Sequence, residues 1–222
     1  MAHPAERVYR GRDGPPHRTD VPVTNFANVE RRHLAALLRR VGPDAPTLCE
    51  GWDTRDLAVH LAIRDARPDA VPGMFAPKLP LLGSHTRSVD GDYRAIPWES
   101  LVDLVERPPL HSPGRWSPVD KRMNTGEFFV HHEDVRRAQP QWHPRQLLHD
   151  EQKALWAMLK LGGPAMLRKE SESVVLLAAG FGAVRGGKKS ARRVKIVRGE
   201  PSELLLWAFG RREQAAVEIS EE

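Results

Sequence analysis

Near residue 170 the hydrophobic pattern of this chain changes period, and that change restricts the fold more than any other feature. Upstream, apolar residues recur at helical spacing in segments broken by proline and glycine. Downstream, SVVLLAAG, FGAVRGG and ARRVKIVRG read as short β-branched strands separated by glycines. Pro201 then opens a short helix, PSELLLWAFG, which Gly210 stops, and AAVEIS offers a last strand. The expected class is mainly α, with a helical domain over 23–168 and a small α+β domain over 169–222. Residues 1–22, rich in Pro, Gly, Arg and Asp and without a hydrophobic period, are expected to be a disordered extension without chemistry.

Within the helical part, Phe26, Val29, His33, Leu34, Leu37, Leu38 and Val41 trace one apolar stripe before Gly42 and Pro43. Asp53 or Thr54 can cap a second helix whose inner stripe is Leu57, His60, Leu61 and Arg64. Residues 68–97 hold five prolines and read as a long folded connection over one end of the helices. A third helix runs from Trp98 to Arg107, a fourth carries Glu127, and a fifth spans about Pro144 to Leu161, ended by Gly162, Gly163 and Pro164.

Composition removes several classes of function. One cysteine, Cys49, excludes an internal disulfide framework and any zinc site built on several thiolates, and it fits a reducing cytoplasm. No apolar run approaches the roughly 20 residues of a membrane helix, so no membrane role is expected. The net charge of +5 suits anionic small molecules as well as nucleic acid. The basic stretch RGGKKSARRVKIVR, Arg185 to Arg198, has no interleaved aromatics for base stacking, and a lysine- and arginine-protected strand edge explains it equally well. No specific nucleic-acid partner is expected.

The chemistry concentrates in NTGEFFVHHEDVRRA, Asn124 to Ala138. Glu127 and His131 stand one helical turn apart and leave the same face, which also carries Asn124, Phe128, Val135 and Ala138. A carboxylate on an apolar face needs a proton, an ion pair or a metal, and the imidazole four residues on makes metal the most economical of the three. His132 points about 100° away, to solvent or a helix interface. Asp134 and Arg136 belong by default to a helical charge network, with Asp134 able instead to orient a ligand imidazole.

Three pieces line up in order: TLCEGWDTRDLAVHL at 47–61, NTGEFFVHHEDVRRA at 124–138 and VRGEPSELLLWAFGRR at 197–212. Together they resemble the mycothiol-dependent maleylpyruvate isomerase family, whose N-terminal domain is a DinB-like four-helix bundle that binds metal. The resemblance implies a divalent ion, zinc first, on His60, Glu127 and His131, with mycothiol as the thiol cofactor. It implies a cis–trans isomerase or a thiol transferase acting on an electrophilic, anionic small molecule, in a monomer or homodimer. The family's C-terminal arginine maps onto Arg211, the candidate catalytic cation. The alternative is a noncatalytic or regulatory metal-binding protein of the same fold.

Two blander readings complete the picture. Cys49 is expected to be a small residue buried in a turn, and Trp52, Trp98 and Trp156 are expected to be core anchors.

Overall fold

The computed structural model describes residues 26–67, 88–109, 118–188 and 193–221. The expected extension at 1–22 and most of the 68–97 connection lie outside the described residues. The described end of that connection is helical over 88–94 and buries Val89.

The fold is mainly α with a small α+β part at the C-terminus. Among the described residues the main elements are the helices α1 (Phe26–Val41), α2 (Thr54–Ala66), α3 (Trp98–Glu106), α4 (Pro118–Arg137) and α5 (His149–Met166), followed by β1 (Ser173–Ala178), β2 (Gly182–Gly187), β3 (Val194–Arg198), α6 (Pro201–Ala208) and β4 (Glu218–Glu221). A 3-10 turn at Leu167–Lys169 joins α5 to the strands. The sheet order is β2-β1-β3-β4, with β1 and β3 parallel and both outer pairs antiparallel. Among the described residues no helix is long and apolar enough to cross a membrane.

Among the described residues, two apolar clusters hold these layers together. The first joins the later part of α1 to α2, α3, Phe128 and Val135. The second joins Phe129 and Val130, from the same helix α4, to α5, the sheet and α6. Helix α4 is therefore buried on several sides. Its site-bearing face is fixed between two cores, each buried side chain contributing on the order of 1.5–3 kcal/mol.

Local chemistry explains most boundaries. Asp53 caps α2: its side chain accepts from the Asp56 N–H, and the Asp56 carboxylate accepts from the Asp53 N–H. Helix α5 begins later than the period suggested, at His149, where Glu151 accepts from the Leu148 N–H at 2.8 Å. It also continues through Gly162, Gly163 and Pro164 to Met166 instead of stopping there. Gly163 serves packing: a Cβ at that position would stand 2.9 Å from Val184 Cγ1 on β2. Close approach of helix and strand, not chain termination, explains this glycine.

The stripe of α1 also differs from expectation. His33 is exposed, whereas Glu30 and Arg31 are buried. Their partners account for it. Glu30 accepts from both terminal nitrogens of Arg145 at 2.9 Å and lies 2.9 Å from His132 Nδ1, while Arg31 pairs with Asp65 at 2.6 Å. Burial opposes ionisation of Glu30, yet the hydrogen bonds from His132 and Arg145 win and hold its carboxyl down to about 2.

Candidate metal centre

Helix α2 presents His60, and α4 presents Glu127 and His131. The i, i+4 spacing on α4 brings His131 Nε2 to 3.3 Å from Glu127 Oε1. Across the helix pair, His60 Nε2 reaches the same oxygen, also at 3.3 Å. The ligand atoms of all three residues lie within 4.8 Å of one another. The two imidazoles meet edge to face, with ring centroids 5.5 Å apart. Among the described residues no fourth His, Cys, Asp or Glu joins this group. The sequence-based trio is thus assembled in space, on half-buried side chains.

Further residues surround it. Arg64, one turn beyond His60, holds its Nε 3.8 Å from Glu127 Oε1 and donates to Asn124 Oδ1 at 2.6 Å. The Trp52 ring lies 5.2 Å from that of His60, and its 36% exposure differs from the expected core anchor. It forms a wall beside the site instead. His132 turns away into the α1–α4 interface, as the 100° rotation requires.

Behind His131 sits a second constellation. Asp134, fully buried, has its Oδ2 3.0 Å from His131 Nδ1, and this oxygen also accepts from Cys49 Sγ at 3.2 Å. Arg211 donates Nε to Asp134 Oδ1 at 2.7 Å and Nη2 to Oδ2 at 2.6 Å, and Nη2 lies 3.4 Å from Cys49 Sγ. Its Nη1 donates to the Phe209 carbonyl. Arg211 therefore reaches the centre through Asp134 rather than across open space. Asp134 was legible as an acceptor from its i+3 position, whereas the half-buried Cys49 joins the cluster through a loop that no spacing rule places.

His131 thus belongs to two potential ligand groups, one at each ring nitrogen. In the group formed with Cys49 and Asp134, the Arg211 guanidinium already supplies the positive charge, and Coulomb repulsion disfavours a second cation there. The group formed with His60 and Glu127 is the better candidate for a metal ion. In the neutral ring, Asp134 at Nδ1 is placed to accept that proton, which would leave the Nε2 lone pair toward Glu127 and His60, as a ligand imidazole requires.

The electrostatics of the metal-free centre follow from these bonds. Burial alone would raise Glu127, but hydrogen bonds from His131 and His60 and the charges of His131 and Arg64 hold it far below the usual carboxylate range. Burial alone would lower His131, yet Asp134, Cys49 and Glu127 push it well above 6.5. The metal-free fold gains stability from Glu127 above about pH 4.5 and loses it on acidification. From His131 it gains stability below about pH 6.5, lost as pH rises through the folded value.

A metal ion must displace the His131 proton. Loading at neutral pH should release about one proton, and the apparent affinity should rise up to about tenfold per pH unit. Calorimetry in buffers of different ionisation heat measures the proton count. An affinity that stays flat between about pH 6 and pH 8 would contradict the assignment.

The fold is that of mycothiol-dependent maleylpyruvate isomerase. Crystal structures of that protein and of a point mutant share it, at TM-scores of 0.56 and 0.57 and sequence identities of 16% and 17%. Each match covers 88% of this chain and 90% of the neighbour. No protein-family model matches the chain, and no curated protein matches it. A separate cavity of about 890 Å³ opens where β1 and β3 end, lined by Leu177, Gly180, Arg198, Glu200 and Glu218 among others. Its lining residues share none with the candidate metal centre and include no histidine or cysteine.

Proposed function

We propose that this chain is a metal-dependent enzyme that uses mycothiol on an electrophilic, anionic small molecule, as a maleylpyruvate-type cis–trans isomerase or as a thiol transferase. The observation that carries the reading is the convergence of His60 Nε2 and His131 Nε2 on one Glu127 oxygen, in a chain that shares the isomerase fold. Two neutral imidazoles and one carboxylate suit zinc and leave a coordination position open. The ion's contribution is to hold a thiol as thiolate at neutral pH, against a free value near 8.5.

The protein's own residues supply the rest. His60, Glu127 and His131 hold the ion, and Asp134 fixes the His131 ring. Arg64 adds a guanidinium on the Glu127 side, where it favours a carboxylate-bearing substrate over a neutral one. The exposed indole of Trp52 gives an apolar surface next to His60. In an isomerisation, thiolate addition to a conjugated double bond permits rotation about the resulting single bond, and elimination returns the thiol.

The test loads the protein with zinc, titrates mycothiol calorimetrically, and then assays conjugated cis keto acids and thiol-reactive electrophiles by mass spectrometry. Stoichiometric mycothiol binding that vanishes in the metal-free protein, with turnover of one substrate class, is expected. Zinc bound without any affinity for mycothiol would favour the noncatalytic metal-binding alternative instead.

A further inference from the structure

We infer that Arg211 and Asp134 are positioning residues through which the C-terminal unit sets the metal affinity of His131. The inference rests on the metal-centre reading above and assigns its regulation.

The observations form one continuous chain of bonds. Arg211 follows α6, and its position is fixed by its own turn: its N–H donates to the Leu206 carbonyl at 3.0 Å, and Nη1 donates to the Phe209 carbonyl at 2.6 Å. Gly210, with φ of 90°, allows the reversal. The guanidinium takes both Asp134 oxygens in a fork that a lysine cannot reproduce. Asp134 is wholly buried, and its Oδ2 also faces His131 Nδ1 and Cys49 Sγ. Without the fork, that carboxylate would lose its two shortest partners and no longer be confined to one rotamer. The ring of His131 would then be free to turn or change tautomer.

Arg211 is 77 residues from Asp134 in sequence and belongs to the part of the chain that carries the sheet. Seating of this segment and occupancy of the metal site are therefore thermodynamically linked: each favours the other.

The experiment measures zinc affinity by competition with a chromophoric chelator, on the full chain, for wild type, Arg211→Ala, Arg211→Lys, Asp134→Asn, the Arg211→Ala/Asp134→Asn double variant and His60→Ala. Arg211→Ala and Asp134→Asn should each weaken zinc by about 10–100-fold, the range for loss of a partner behind a ligand imidazole. Arg211→Lys should fall between wild type and Arg211→Ala, and it carries the test if the alanine variant does not fold. The double variant should bind no more weakly than Asp134→Asn alone, because Arg211 acts through Asp134.

The ¹⁵N shifts of the His131 imidazole, read without metal, separate positioning from general destabilisation. They should change in Arg211→Ala under conditions where urea titration finds the variant folded. Wild-type affinity and unchanged shifts in Arg211→Ala, or strictly additive losses in the double variant, would overturn the inference while the metal centre stands. Zinc binding equal in His60→Ala and wild type would instead remove the metal-centre reading itself.

Discussion

Replacing Glu127 by glutamine is expected to leave the purified protein without a bound divalent ion, with affinity reduced by more than about 100-fold. Loss of a partner behind a ligand already costs about 10–100-fold, and Glu127 is one of the three proposed ligands. The substitution preserves size, so it isolates charge and donor character. Glu127 provides the sole carboxylate of the trio, and its Oε1 is the atom on which both imidazoles converge. An amide oxygen there would leave two imidazoles to hold the ion with no neutralising charge. Elemental analysis of wild type and Glu127→Gln, purified in parallel from the same medium, measures the effect. Equal metal content in the two proteins would show that the ion, if present, is held elsewhere.

The largest expected effect on stability belongs to Arg137→Ala. Arg137 is buried at the end of α4 and donates Nε to Glu133 at 2.6 Å and Nη1 and Nη2 to Glu203 at 2.8 and 2.7 Å. It also donates to the Gln214 carbonyl and stacks its guanidinium over Trp142. Burial alone would lower the pKa of Arg137, but its bonds to Glu203 and Glu133 outweigh that and keep it charged. Truncation would strand Glu203 in the interior without its cation and leave Glu133 to Arg136 and Arg145. Removing one partner of a buried pair costs about 3–5 kcal/mol. At roughly 2–4 °C per kcal/mol for a chain of this size, the melting temperature should fall by about 6–20 °C. Urea titration gives the free energy directly. A loss below about 1 kcal/mol would mean that water replaces the guanidinium readily.

Sequence and structure agree where a rule of short range applies. The helical period located α1 to α4, glycine and proline located the strands and α6, and the i, i+4 rule joined Glu127 to His131. His60 needed the resemblance, because nothing in spacing can pair residues 67 apart. The misreadings have a common cause. Val29 and His33 fit an apolar stripe better than Glu30 and Arg31, yet the latter are buried because Arg145, His132 and Asp65 arrive from distant segments to neutralise them. Trp52 is large and apolar, so burial was the natural expectation, but it lies beside a site that leaves it partly open. Asp134 was visible as an acceptor, whereas its clamp by Arg211 depends on the path of the whole C-terminal unit. Buried ionic partners are set by tertiary structure, and local pattern carries little trace of them.

Helix α4 places neighbouring residues in unrelated neighbourhoods: His131 faces Glu127, and His132 faces Glu30. The segment from Glu127 to Arg137 is therefore far more sensitive to a change of length than to a change of residue. One inserted or deleted position would turn everything beyond it by about 100°, exchange the environments of the two histidines and swing Arg137 away from Glu203. Lineages carrying this site should accordingly vary in the loops around α4 and in its individual side chains, while the register between Glu127 and Arg137 stays free of gaps.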